Sequence, residues 1–147
     1  MIVLNELYEG DNIGGVSSFE IAHVTELISS KPVVFKPGKT WRSINFHPHS
    51  GIFKEDENET DQGFFYSYAG SFKIPRKNKP TDQDLQFYLG SCSIIRITDQ
   101  NGFVQVIGGI DFPVTLTKSS DTGSNPADVN QVNYSFTVSQ IQKALFG

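Results

Sequence analysis

The sequence lacks the features that are typical of disulfide-rich, membrane-spanning or nucleic-acid-binding proteins. Its 147 residues include one cysteine, Cys92, so no disulfide can form within the chain. A thiolate metal site would need ligands from elsewhere. No apolar run approaches the ~20 residues that a transmembrane helix needs. The net charge of −4 argues against a sequence-specific nucleic-acid binder, which needs a basic face.

The first residues also lack the features of a secretory leader. Residues 1–6 carry no Lys or Arg, and Glu6 comes before any apolar stretch of leader length. We therefore expect a protein that is made and kept in a cytoplasm, without a signal peptide.

Aromatic residues are abundant in the sequence. The chain has 12 Phe and 5 Tyr, a balance that favours pleated, half-buried strands. Its length suits a single domain over residues 1–147 with one core. Apolar residues alternate with polar ones in two long stretches, which predicts strands with one buried face. The alternating apolar residues are Phe64, Tyr66, Tyr68, Phe72 and Ile74 in the first stretch and Val132, Tyr134, Phe136 and Val138 in the second.

Two local signals complete the architecture. Asn101-Gly102 between apolar runs predicts a β-hairpin, because both residues tolerate positive φ. Residues 81–84 resemble a helix N-cap, and Leu85, Tyr88 and Leu89 follow with helical spacing. The sequence therefore predicts a mostly β fold, an antiparallel β-sandwich or barrel of about seven to eight strands with one short flanking α-helix.

Two polar segments interrupt this pattern. Residues 54–63 hold five acids and one lysine, and we expect an exposed acidic connection between two strands. Residues 118–130 are polar and include Gly123 and Pro126, which predicts a flexible loop.

No motif carries a convincing catalytic constellation. Asp121-Thr122-Gly123 matches the short loop of aspartic proteases, but the polar residues 118–120 replace the apolar strand that should precede it. His47 and His49 are separated by Pro48, which argues against a shared metal site. The acids of 54–63 lack the spacing of a calcium loop. We expect no enzyme activity, no cofactor and no metal.

The C-terminal half resembles a known family. The similar residues are the strand 93–98 with its turn 99–102, Val106-Ile107-Gly108, the strand 112–116, Asp121-Thr122-Gly123 and residues 134–138, together with the earlier turn 11–15. In this order the chain resembles small virion proteins of tailed phages and of Bacteroidetes-type prophages, of the tail-tube kind. The resemblance implies a β-sandwich with a flanking helix that self-associates into rings, commonly hexameric, and stacks them into a tube.

This resemblance implies where the protein acts and what it contacts. The partners would be other copies of the chain and other virion proteins, first in the host cytoplasm during assembly and then in the virion tail. The strands that flank the acidic segment would form an arm that docks against neighbouring subunits. We predict an assembly interface at Ile52, Phe53, Phe64 and Tyr66 and an exposed acidic tip at Glu55, Asp56, Glu57, Glu59 and Asp61.

A second hypothesis belongs to another class of function. A β-sandwich can bind a ligand or carbohydrate through exposed aromatic rings, and Trp41, Phe65 and Tyr68 are the candidates for such stacking. The alternative for these rings is that they pack the core or an interface.

Overall fold

The computed structural model of the protein describes residues 15–47, 50–61, 63–75, 79–121, 131–141 and 144–146. The described residues form eleven strands, one α-helix, α1 (Lys79–Gln86), and a 3₁₀ turn at Val24–Glu26. The strands are β1 (Val16–His23), β2 (Leu27–Ser30), β3 (Val33–Phe35), β4 (Arg42–Ile44), β5 (Ile52–Thr60), β6 (Gly63–Pro75), β7 (Gly90–Asp99), β8 (Val104–Ile107), β9 (Val114–Asp121), β10 (Gln131–Gln140) and β11 (Leu145–Phe146).

Nine of these strands make one antiparallel sheet. Its order is β11-β8-β7-β9-β10-β6-β5, and β1 pairs with β7 and carries β4 on its other side. The sheet curls into a half-barrel. The chain after β4 helps to close it, because the His47 N–H donates to the Lys73 carbonyl at the end of β6, with an N···O distance of 2.7 Å. The predicted mostly β fold with a single short helix is confirmed.

Aromatic residues fill the inside of the curl. The ring of Phe19 lies 5.2–5.4 Å from the rings of Phe46, Phe72 and Phe136. Such tilted and edge-on pairs stabilise a core beyond the area they bury. The alternation read from the sequence therefore marks the inner face of β6 and β10 correctly.

A smaller cluster covers the outer face of β1 and β7. The β2–β3 hairpin packs Leu27 there against Ala22 and Ile94. At the margin of this cluster the guanidinium of Arg96 lies 5.0 Å above the Trp41 ring and binds both carboxylate oxygens of Glu20, at 2.9 and 2.6 Å. The sheet is thus covered on both sides in this region.

The strands give the barrel two distinct ends. β1 runs from Val16, opposite Asp99, to His23, opposite Ser93. Val16 and Phe53 line a hollow at the first end, which we call the arm end. At the other end, called the helix end, a cavity is lined by residues of β1, β4, β6 and α1.

The Asn-Gly hairpin is confirmed, but its turn is longer than two residues. The Asp99 N–H donates to the Phe103 carbonyl, so three residues form the loop. The Asp99 carboxylate accepts the N–H groups of Asn101 and Phe103, and Gly102 takes a positive φ of 85°. A three-residue loop with glycine in the left-handed region is the next most common hairpin connection.

The structure corrects the prediction that residues 54–63 are an exposed connection between two strands. Residues 54–60 are not a connection but the larger part of β5, paired with β6 down to Thr60 and Gly63. The side chains of residues 54–57 and 59–61 are exposed, as expected for charged groups. Solvation of the side chains does not prevent pairing of the backbone, because a strand beyond the core keeps both faces in water.

The second polar segment is also shorter than predicted. Residues 118–121 continue β9 and pair with β10, from Tyr134↔Lys118 to Gln131↔Asp121. Their polar side chains carry no alternation that would have revealed a strand. The remainder of the predicted loop, 122–130, lies outside the described residues.

Candidate functional site

The β5–β6 hairpin forms an arm that extends the sheet past the core. We define the arm as this hairpin from Ile52 in β5 to its partner Ser71 in β6. Its register pairs Glu55 with Tyr68, Glu57 with Tyr66 and Glu59 with Phe64. Directly opposite residues share a face of the sheet. The arm therefore has an inner face on which three glutamates alternate with aromatic rings.

Burial decreases along this inner face toward the tip. Tyr68 is 1% exposed and stacks on Phe53, with ring centroids 5.9 Å apart and planes parallel within 1°. Tyr66 is half-buried against the core, and Phe64 is 55% exposed. The aromatic stripe thus leaves the core and continues into solvent.

The structure places the predicted interface residues on one hairpin but on two faces. Phe53, Tyr66 and Phe64 lie on the inner face, whereas Ile52 is opposite Ser71 on the outer face and is 57% exposed. Phe53 and Tyr66 contribute to the core of the subunit itself. The apolar groups that the arm offers to a partner are therefore Ile52 and Phe64.

The predicted acidic tip is likewise spread over the hairpin. Glu55, Glu57 and Glu59 follow one another on the inner face, Asp56 is on the outer face and Asp61 is in the turn. Alternate residues of a strand lie about 7 Å apart, so these carboxylates repel one another within a Debye length. The Glu55 carboxylate accepts a bond from the Gln105 side-chain amide at 3.4 Å.

A buried hydrogen bond fixes the base of the arm. The Ala144 N–H donates to the Tyr68 hydroxyl, with an N···O distance of 2.9 Å. Burial raises the pKa of Tyr68 above its usual value, and the Ala144 hydrogen bond opposes that rise. The phenol therefore stays protonated and ties the chain before β11 to β6.

β5 is the last strand of the sheet on its side. Within the described residues it pairs with β6, and no strand is assigned to its other edge. An edge strand presents backbone N–H and C=O groups to any strand that can join it. The arm thus combines a nine-residue edge with exposed apolar and acidic side chains.

A cavity of about 830 Å³ lies at the helix end. Ile21, Ile44 and Leu85 form its apolar wall, and Glu26 and Arg42 also line it. Glu26 is only 6% exposed, and its carboxylate accepts the His23 N–H at 3.2 Å. Sequence reasoning missed this buried acid. The signal was its spacing of three residues from His23, which is that of a capping box.

Burial also raises the pKa of Tyr88 in the wall of this cavity. Among the described residues no group of three His, Cys, Asp or Glu side chains comes close enough to hold a metal ion. Cys92 is half-buried, with its thiol 3.5 Å from the Leu89 carbonyl.

Of the three rings proposed for carbohydrate stacking, Trp41 and Phe65 are half-buried and Tyr68 is buried. Tyr68 is buried in the core, so its assignment as an exposed ring is wrong. Trp41 is half-buried, packed between Arg96 and Phe35. Of the protease-like motif, Asp121 ends β9, and Thr122 and Gly123 lie outside the described residues.

Comparison with known proteins returned no relative. No protein-family model matches the sequence, no curated protein matches it, and no solved structure matches the fold. The helix that the described residues contain is too short and too polar to cross a membrane.

Proposed function

We propose that this protein is a structural subunit of a phage or prophage virion, of the tail-tube kind, which self-assembles into rings or tubes. Its partners are further copies of the chain and other virion proteins, and it passes from the host cytoplasm into the virion tail. The observation that carries the proposal is the arm, a paired hairpin with an open edge and exposed Ile52 and Phe64.

An arm of this kind lowers the solubility of a solitary subunit, and its exposed tip adds no packing to that subunit. Exposed strand edges and apolar side chains favour pairing with another chain, and in a ring each edge is covered by the neighbour. The resemblance of the C-terminal half to tail-tube proteins supports the same conclusion.

The test is to shorten the arm without disturbing the barrel. Replacing residues 59–64 by Asn-Gly removes the exposed Phe64 and keeps Tyr66, and it joins Asn58 to Phe65, which are paired in the hairpin, through a two-residue turn. We expect a folded variant that stays monomeric in size-exclusion chromatography with light scattering. The wild-type chain should form rings or tubes at high concentration, visible by negative-stain electron microscopy.

Single substitutions provide a matched control. Ile52→Ser should weaken assembly, whereas Ile141→Ser should not, because Ile141 is equally apolar and exposed but lies outside the arm. A wild-type chain that remains monomeric at every salt and protein concentration would refute the proposal.

A further inference from the structure

Three exposed cations lie at the helix end. Residues 27–53 contain no Asp or Glu, and the Lys and Arg residues among them are Lys31, Lys36, Lys39 and Arg42, all of them exposed. Lys39 and Arg42 line the helix-end cavity, and Lys36 follows β3, with its N–H bonded to the Glu26 carbonyl. Lys31, at the turn of the β2–β3 hairpin, lines a different hollow together with Asp111. We call Lys36, Lys39 and Arg42 the basic surface.

The arm carries the opposite charge at the opposite end. Its inner face presents Glu55, Glu57 and Glu59, and the base of the arm, at Ile52 and Phe53, lines the hollow of the arm end. The barrel therefore has one acidic end and one basic end.

Exposed apolar side chains accompany both surfaces. On the β2–β3 hairpin, which directly precedes Lys36, Ile28 is 61% and Val34 is 42% exposed. On the arm the exposed apolar residues are Ile52 and Phe64. Apolar groups surrounded by charge are typical of surfaces that bind another protein.

Within one subunit these surfaces do not meet. β1 alone separates its two ends by about 23 Å at 3.3 Å per residue, and the arm extends farther. No salt bridge joins the acids of the arm to the basic surface among the described residues. Two acids, the buried Glu26 and the exposed Asp84, line the same cavity as Lys39 and Arg42, and the three cations of the basic surface outnumber them.

We infer that the acidic arm of one copy docks on the basic surface of the next copy. The inference rests on the proposed function and names the surfaces that the assembly joins. Because the two surfaces differ, the contact is head-to-tail, and it propagates into a ring or a stack. Opposite charges fix the orientation and speed the encounter, and the exposed apolar residues on both sides supply buried area.

Charge reversal of each surface tests the inference. Glu57→Lys with Glu59→Lys changes the inner face of the arm from three acids to one acid and two lysines. Lys36→Glu with Lys39→Glu changes the basic surface from three cations to one cation and two acids. Each double variant alone then opposes like charges, and we expect its association constant to fall at least about tenfold, since like-charge contacts cost several kcal/mol. These side chains are exposed, so the thermal melting temperature should not change.

The decisive measurement is a mixture of the two variants. In an equimolar mixture each arm finds an oppositely charged surface on the other variant, so association should return to near the wild-type strength in sedimentation velocity. The controls carry the same charge changes elsewhere: Asp56→Lys with Asp61→Lys on the outer face and turn of the arm, and Lys73→Glu with Lys118→Glu on β6 and β9. We expect them to weaken association less than threefold.

The possible failures are distinguishable. If the wild-type chain forms rings and either charge-reversed variant does so equally well, or if the mixture associates no better than its components, this docking inference is wrong and the proposed function stands. If the wild-type chain does not assemble, the proposed function falls, and the inference with it.

Discussion

The two halves of β6, residues 63–67 toward the arm tip and residues 68–75 toward the helix end, follow the same alternation but lie in different surroundings. Phe72 and Tyr68, in the half toward the helix end, are buried beneath β10 and the rings of the core. Phe64, on the same face four residues before Tyr68, is more than half exposed. The pattern determines which face a side chain takes, and the neighbouring elements determine whether that face is covered.

This comparison also separates stability from assembly. In the core half, each ring contributes to the folding of the subunit. In the half toward the arm tip, Phe64 and the carboxylates of Glu57 and Glu59 contribute little to folding, and they are exposed to contacts with other copies. Three pairs of substitutions, from the largest expected effect to the smallest, test this division.

The largest contrast is between two phenylalanines of one strand. Phe72→Ala should lower the free energy of unfolding by about 3–5 kcal/mol, because it leaves a cavity among aromatic rings. Phe64→Ala should change it by less than about 0.5 kcal/mol. Urea unfolding followed by circular dichroism measures both. Similar losses for the two variants would show that the arm is part of the subunit's own core.

A glycine in the half of β6 toward the helix end gives the next effect. A Cβ at Gly70 would collide with the Phe136 ring and come within 2.6 Å of the Ile52 carbonyl oxygen. Gly70→Ala should therefore cost about 1–3 kcal/mol through overpacking and loosen the pairing of β5. Ser71→Ala is the control, since its side chain lies on the outer face. Unchanged stability of Gly70→Ala in thermal melting would mean that Phe136 can move aside.

The smallest effect compares the two tyrosines of the inner face. Tyr68→Phe leaves the Ala144 N–H without its partner and should cost about 1 kcal/mol, whereas Tyr66→Phe should be nearly neutral. The pKa of Tyr68 is raised in the folded state, mainly by burial, so the unfolded chain ionises first as the pH rises.

The stability contributed by the protonated phenol is therefore complete below about pH 10 and is lost above it. Denaturation curves from pH 8 to 11 should fall less steeply for Tyr68→Phe than for the wild-type chain. An equal slope would show that Tyr68 ionises as readily in the folded chain as in the unfolded one.

Local signals in the sequence were sufficient for much of the fold. Alternation located the inner faces of β6 and β10, and Asn101-Gly102 located the β7–β8 hairpin. Residues 81–84 and the spacing after them indicated a helix, but α1 begins earlier, at Lys79, and ends at Gln86, before Tyr88 and Leu89. These elements were predictable because side chains a few residues apart impose them, through the pleat, the turn or the helical repeat.

Other elements gave no such signal. The acidic residues of β5 have no apolar alternation, and their strand forms because β6 lies beside them and satisfies their backbone. The sequence also did not show that Ile52 is exposed, whereas the neighbouring Phe53 stacks on Tyr68. Both facts depend on pairing between strands.

By itself the sequence determined the composition of each strand and the separation of charge along the chain, with acids at 55–61 and cations at 36–42. Only the tertiary structure decided that these charges lie at opposite ends of the barrel, and that Glu26 is buried while Phe64 is not. The physical reason is that local interactions fix a strand's two faces. The curl of the sheet, set by contacts between residues far apart in the chain, decides which face is inside and which end it reaches.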